Sequence, residues 1–329
     1  MSRTANWLLW FGVLLFISIL ASQGLPAVVS TLARAGWGLL PVAAYHLLPL
    51  ILDAVAICVL FQVGITRGSV RDAVLARWVG ESANSLMPAG QIGGPVLMAR
   101  HLAQRGVRLP EAAATITVST TLQTSAQIAF ALTGVLLLSE QTGHIAQQSL
   151  RISVLVASCF LAVQVGGFYL IQRRGFFSKL MRTATRFSGK RDWSQFLKDA
   201  HAIDLAVQDT YGRGGRVSAS FFLSLAGWIA GTGEVYLIAW LLRAPLGWGD
   251  SLVLESLGQA VRGAGFAIPG ALGVQEGGYL LLAPLVGLPR DAALALSLAK
   301  RARELILGLP GLLYLHLTTR GSSTTSRRA

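Results

Sequence analysis

Charged side chains are scarce in this chain. Asp, Glu, Lys and Arg make up 13% of its 329 residues, about half of the roughly 25% typical of soluble domains. That shortage excludes an ordinary water-soluble fold. Acidic residues are the rarer sign, with 15 Asp and Glu against 28 Lys and Arg, a net charge of +13. Cysteine is nearly missing. Cys58 and Cys159 lie in apolar stretches, form no paired framework and match no metal-ligand spacing, so both are expected to be small packing residues. The histidines (His46, His101, His144, His201 and His316) are scattered, and no HExxH, nucleophile elbow or Walker loop is present. Those absences leave metal-dependent, nucleophilic and nucleotide-driven chemistry without a signature. No metal and no cofactor is expected.

What is present is apolar sequence in long runs. Residues 6–33, 112–139 and 152–172 contain no charged side chain; 36–66 contains only Asp53 and 217–242 only Glu234. A helix crosses the hydrocarbon layer with ~20 apolar residues, because it satisfies its own backbone there. Helices are expected at about 6–32, 37–65, 111–138, 151–172, 217–242 and 291–317. The first run is longer than the ~7–15 residue core of a signal peptide, so it is expected to stay as an uncleaved helix.

Lys and Arg sort the connections by side. Arg67, Arg71 and Arg77 are basic turn residues, as are Arg100, Arg105 and Arg108, whereas 140–150 holds neither Lys nor Arg. The segment 173–216 carries Arg173, Arg174, Lys179, Arg182, Arg186, Lys190, Arg191, Lys198, Arg213 and Arg216. This alternation places both termini and that segment in the cytoplasm, with contact to anionic headgroups possible for the basic segment. It accounts for the positive charge without nucleic acid, for which no recognition motif is present. Trp7, Trp10, Trp37, Trp240 and Trp248 fall near helix ends, where amphipathic rings favour the interface.

Two segments interrupt the pattern. Val74–Val96 breaks at Pro88, Gly90, Gly93 and Gly94, and Ser251–Leu288 breaks at Pro269, Gly270, Gly273 and Gly277. Proline removes a backbone donor and glycine permits helix-ending conformations. Each segment is a pair of short semi-apolar arms, which suits a re-entrant hairpin better than a span. The segments also resemble each other. Pro88-Ala89-Gly90 leads to Leu109-Pro110-Glu111-Ala112, and Pro269-Gly270-Ala271 leads to Leu288-Pro289-Arg290-Asp291-Ala292. With an odd number of spans between them, the copies are expected as an inverted repeat, the arrangement that marks a transporter's binding site. The expected fold is therefore all-α: a polytopic membrane helix bundle of two inverted repeats, each containing a Pro/Gly-broken re-entrant hairpin. It forms one integral membrane domain, 1–320, with repeat halves at about 37–138 and 217–317, and a disordered polar tail, 321–329.

Polar residues collect at the same places. Ser119, Gln123 and Gln127 share a face of the helix after the first break. The corresponding helix after the second break carries Lys300-Arg301-Ala302-Arg303-Glu304. Aligning the two places Lys300, Arg303 and Glu304 opposite Thr120, Gln123 and Thr124. Charges inside spans are costly and line an interior or a water-filled path. Arg262, Glu276, Arg301, Arg303 and Glu304 are expected to cluster facing the first broken segment, with Lys300 or Arg301 reaching Asp53 or Glu234. Glu255 and Gln259 lie at helical spacing with Arg262 and are expected on the same face.

The run Arg77–Pro95, with its Glu-Ser-x-Asn-x-x-x-Pro-Ala-Gly core, resembles the membrane region of lysylphosphatidylglycerol synthases. So do Gly270-Ala-Leu-Gly-Val-Gln-Glu-Gly-Gly-Tyr279 and Ala299-Lys-Arg-Ala-Arg-Glu304, which most resemble the HpnL-type, hopanoid-associated branch of that flippase-like family. The resemblance covers almost the whole chain. It implies a bacterial cytoplasmic-membrane protein that moves or presents lipid between leaflets. Its functional core would include Glu81, Asn84, Arg262, Glu276, Lys300, Arg301, Arg303 and Glu304, with the Pro and Gly breaks. The synthases carry a soluble aminoacyl-transferase domain after this region. Here Arg320–Ser326 is a short polar run, so lysine transfer is not expected.

The expected function is a lipid translocase or lipid-transport component, not an enzyme. A hopanoid or phospholipid is the expected partner, with lipid-biosynthesis or transport proteins possible beside it. An anionic headgroup would call on Arg262, Arg301 or Arg303, with Lys300 as a point charge. Hopanoid polyols would call on Asn84, Gln91, Gln123 and Glu276. Gradient coupling would fall to Glu81, Glu276 or Glu304. A membrane-embedded lipid-modifying enzyme, or a scaffold for biosynthetic enzymes, stands as the alternative.

Overall fold

The computed structural model describes residues 36–61, 67–87, 90–141, 163, 165–187, 194–244, 246–265 and 268–325. The expected helix at 6–32, most of that at 151–172, Cys159, Pro88 and the end of the tail lie outside those residues. Among the described residues the fold is all-α. In chain order the helices are α1 (Leu39–Tyr45), α2 (Leu47–Leu60), α3 (Arg67–Leu86), α4 (Gly90–Gln104), α5 (Leu109–Gln141) and α6 (165–173). They continue with α7 (Phe176–Phe187), α8 (Ser194–Gly212), α9 (Gly214–Leu241), α10 (Trp248–Ala264), α11 (Val274–Leu282) and α12 (Arg290–Thr325).

Three stretches among the described residues are long and apolar enough to cross a membrane: Gly36–Leu60, Leu109–Ser139 and Gly214–Leu241. These coincide with three of the helices expected from the apolar runs. Their apolar side chains point outward as well as inward: Leu47, Leu48, Leu136, Phe222 and Ile229 are exposed, and Trp37 is 85% exposed. A soluble bundle would not present such a surface. The polar residues of α5 are accommodated locally. Thr117, Thr120, Thr121, Thr124 and Ser125 each donate to the carbonyl four residues back, which satisfies the hydroxyls without an outside partner. Helix α12 extends from Arg290 to Thr325, past the end expected at 317 and through residues placed by sequence in the polar tail.

Segment 173–216, expected as a cytoplasmic loop, is largely helical. It holds α7 and α8. Asp204 on α8 accepts from the backbone N–H groups of Phe177 and Ser178 at 2.9 and 2.8 Å, satisfying donors that the first turn of α7 leaves open. The other side of α8 lies along α5, where Val207 packs with Leu60, Ala114, Val118 and Leu122.

Both broken segments are antiparallel helix pairs. Gly94 lies against Asn84 and the Gly80 carbonyl, and Gly80 lies against Met98, so α3 and α4 fold back on each other. Val274 lies against Gly265, Val261 against Gly278 and Tyr279 against Gly258, so α10 and α11 do the same. Gly93, Gly94 and Gly277, expected in the breaks, lie inside helices, and Gly94 serves this close packing. The helices instead end at Leu86 and Ala264 and resume at Gly90 and Val274. Contacts follow a matched pattern: α2 with α3 and α9 with α10, α4 with α5 and α11 with α12. Across the halves, α5 packs on α10, α12 packs on α3, and α2 packs on α9.

Candidate functional site

The two turns meet. A Cβ on Gly270 would come within 2.9 Å of the Ser85 carbonyl, at the end of α3. Gly270 adopts φ +61° and Gly273 φ +77°, left-handed conformations that favour glycine. The carbonyls of Gly270 and Ala271 accept from Arg301 on α12, at 2.5 and 3.0 Å. Arg301 also bonds Glu276, at 2.9 Å, and Glu304, at 3.0 Å. Glu276 in turn accepts from the Gly273 N–H at 2.7 Å, closing the first turn of α11. Glu276 is fully buried. Its charge is compensated on the spot by the guanidinium, which is what makes such burial tolerable.

Beside these turns is a cavity of about 220 Å³. Its wall comes from both halves: His46, Asp53, Arg77, Glu81, Asn84 and Gln123 from the first, Glu234, Glu255, Gln259, Arg262, Arg303 and Glu304 from the second, with Trp228 and Thr120 between them. Asp53 pairs with Arg77 at 2.8 Å and accepts from Gln123 at 2.5 Å. Arg303 reaches Glu234 at 3.1 Å and Glu81 at 3.3 Å. Arg262 bonds Gln275 at 2.8 Å and pairs with Glu304. His46, in the turn between α1 and α2, places Nδ1 2.7 Å from Glu234 and Nε2 2.7 Å from Glu81.

Of the residues singled out by sequence, Glu81, Asn84, Gln123, Arg262, Arg303 and Glu304 line the cavity. Asn84 also accepts from the Gly94 N–H at 2.9 Å, tying α3 to α4. Glu276, Lys300 and Arg301 stand behind the wall. Lys300 is 1% exposed and donates to Glu255 at 2.6 Å, an oxygen that Tyr279 also reaches at 3.1 Å. The side chain of Gln91 lies outside the described residues. The expected answer of Lys300 or Arg301 to Asp53 or Glu234 is corrected. Arg77 takes Asp53 and Arg303 takes Glu234, because helix α3 brings Arg77 beside α2 while α12 turns Arg303 toward α9.

Two wall residues escaped the sequence reading. Arg77 passed for a turn residue, although it lies one helical turn before Glu81 on the same face. His46 passed for one of several scattered histidines, although it precedes Asp53 by two turns. Same-face spacing to a buried carboxylate was the available signal in both cases.

The lining carries five carboxylates, Asp53, Glu81, Glu234, Glu255 and Glu304, against Arg77, Arg262, Arg303 and His46. Arg301 and Arg303 are engaged by protein oxygens, so neither presents a whole guanidinium to a phosphate. The five carboxylates are likewise held by protein donors, and in number they exceed the cations of the wall.

The family described as the lysylphosphatidylglycerol synthase TM region matches residues 8–311, nearly the entire chain. No curated protein and no solved structure matches the sequence.

Proposed function

The chain belongs to the lysylphosphatidylglycerol synthase membrane-region family, and we propose that it is an integral membrane lipid translocase whose cavity takes a polar headgroup. The observation that carries this reading is the charged cavity, walled by both halves at the meeting of two Pro/Gly-broken helix pairs, inside a bundle with an apolar outer surface. Its volume of about 220 Å³ falls below the ~300–1,000 Å³ of pockets that enclose whole ligands. A headgroup enters and the chains stay in the lipid. The lining favours headgroups rich in hydroxyl or amine groups, including the hopanoid polyols suggested by the HpnL-like motifs, over a bare phosphate.

The matched contacts of the two halves support an inverted repeat, and the two antiparallel pairs support re-entrant hairpins that would alternate access to the cavity. The basic segment 173–216 supports a cytoplasmic placement of that segment and of both termini in a bacterial inner membrane. Labelling of single cysteines placed in a Cys58- and Cys159-free chain tests this. Modification of residue 188 only from outside would reverse the orientation.

The transport test uses the full chain in vesicles doped with acyl-labelled lipids: phosphatidylglycerol, lysylphosphatidylglycerol and an aminated hopanoid. Transbilayer movement should be selective for the amine- or polyol-bearing lipids and should vanish in Arg303→Ala protein that still inserts. Movement that persists at the wild-type rate in inserted Arg303→Ala protein would overturn the site. A deletion strain should keep its lipid inventory and change its leaflet distribution; a missing lipid species would favour the enzyme reading instead.

A further inference from the structure

The charges around the cavity pair off almost completely, and the exception is instructive. Imidazole at His46 touches a carboxylate oxygen through each ring nitrogen, Glu234 at Nδ1 and Glu81 at Nε2, both at 2.7 Å. A neutral imidazole has one N–H and one lone pair. A lone pair facing an ionised carboxylate at that distance is repulsive, so the three groups together must hold one extra proton. It resides on His46 as imidazolium or on one of the glutamates. With it, His46 and Arg303 balance Glu81 and Glu234. Without it, the four groups carry one uncompensated negative charge.

We infer that His46, Glu81 and Glu234 form a proton-binding site, and that headgroup movement through the cavity is coupled to release of that proton. The coupling rests on the translocase reading; the proton site does not. Every helix packed around His46 contributes a charge to the balance: Asp53 from α2, Arg77 and Glu81 from α3, Glu234 from α9, Lys300 and Arg303 from α12. Asp53 is held by Arg77 and Lys300 by Glu255, which leaves Glu81, Glu234 and Arg303 to respond when His46 changes state.

A partner for the deprotonated state is already in place. Arg303 Nη1 lies 3.1 Å from His46 Nε2 and 3.3 Å from Glu81. When the Nε2–H bond breaks, its proton passes to Glu81 Oε1 and from there to water in the cavity. The Nε2 lone pair then accepts from Arg303 Nη1, while Nδ1–H keeps donating to Glu234. Glu81 has now lost its imidazole donor and keeps only the second Nη1–H of Arg303. Its side chain is 25% exposed, against 2% for Glu234, so of the two lining carboxylates it is the more open one. A carboxylate short of a donor and a counter-charge inside the bundle is costly. A hydroxyl or ammonium from a headgroup relieves that cost. Proton and headgroup therefore alternate at Glu81, and lipid movement in one direction accompanies proton movement in the other.

Two measurements on the full-length protein test this. In vesicles carrying acyl-labelled lysylphosphatidylglycerol, an imposed pH difference should change the wild-type transbilayer rate by at least about fivefold, the lower end of typical coupling factors. His46→Gln and Glu81→Gln should each bring that ratio close to one. Wild-type movement indifferent to the pH difference would overturn the coupling while leaving the translocase reading intact. No movement in any vesicle would overturn the translocase reading and the coupling with it. NMR of the detergent-solubilised chain carrying histidine-15N and glutamate carboxyl-13C labels decides the proton site independently. A resonance absent from His46→Gln protein should pass from two protonated ring nitrogens to one as pH rises, accompanied by a change at a glutamate carboxyl. A His46 resonance fixed in one neutral tautomer between about pH 5 and 9, with both glutamates ionised, would overturn the site; ordinary histidine titrates within that window.

Discussion

The turn between α10 and α11 is secured by charge, and the turn between α3 and α4 by an amide. In the second half Arg301 crosses from α12 to hold two turn carbonyls and two glutamates, one of which closes α11. In the first half the equivalent helix, α5, offers Thr120, Gln123 and Thr124 where α12 offers Lys300, Arg303 and Glu304. Beside the first turn, the tie among the described residues is Asn84, which accepts from the Gly94 N–H. Breaking a buried ion pair strands a charge, whereas losing one neutral hydrogen bond costs little. The second turn is thus the more firmly held of the two among the described residues. For a protein proposed to alternate access, that asymmetry predicts the larger movement at the α3–α4 turn.

The comparison fails most visibly if Arg301→Ala is tolerated. Its loss strands the fully buried Glu276, while Glu304 keeps Arg262, and should cost ~3–5 kcal/mol, seen as a steep fall in the thermal midpoint of the solubilised protein. Lys300→Met should fall in the same range alone, because Glu255 is left buried without its cation. Adding Glu255→Leu should recover most of the loss, since apolar replacement of a whole buried pair is often neutral. Transport lost in a stable double variant would show that Glu255 serves the cavity as well as the fold.

The first half should answer more gently. Gly94→Ala would set a Cβ 2.4 Å from the Asn84 oxygen and 2.5 Å from the Gly80 carbonyl, and such overpacking costs ~1–3 kcal/mol. Asn84→Ala should cost only about 1 kcal/mol, with the larger effect on transport rate. If it destabilises as much as Arg301→Ala, the two turns are equally fixed and the asymmetry is wrong. At the bottom of the scale lies Arg105→Ala. Arg105 is 3.7 Å from Asp72, its side chain 38% exposed, and exposed pairs contribute about 0–1 kcal/mol; differential scanning of the variant should show almost no shift.

The sequence by itself determined the membrane class, the helices at 37–65, 111–138 and 217–242, and that two segments break near a proline. These are local properties. An apolar run long enough to span, or a proline beside glycine, acts on its own stretch of backbone whatever lies around it. It also determined that Arg262, Arg303 and Glu304 point inward, because charge facing lipid is too costly to leave there. Partnership was decided only by the tertiary structure. His46 meets Glu81 and Glu234, Arg303 meets Glu234, and Lys300 meets Glu255 across separations in sequence that no helical periodicity spans. Periodicity fixes the face a side chain occupies; the packing of α2, α3, α9 and α12 around one another fixes which opposite charge it finds there.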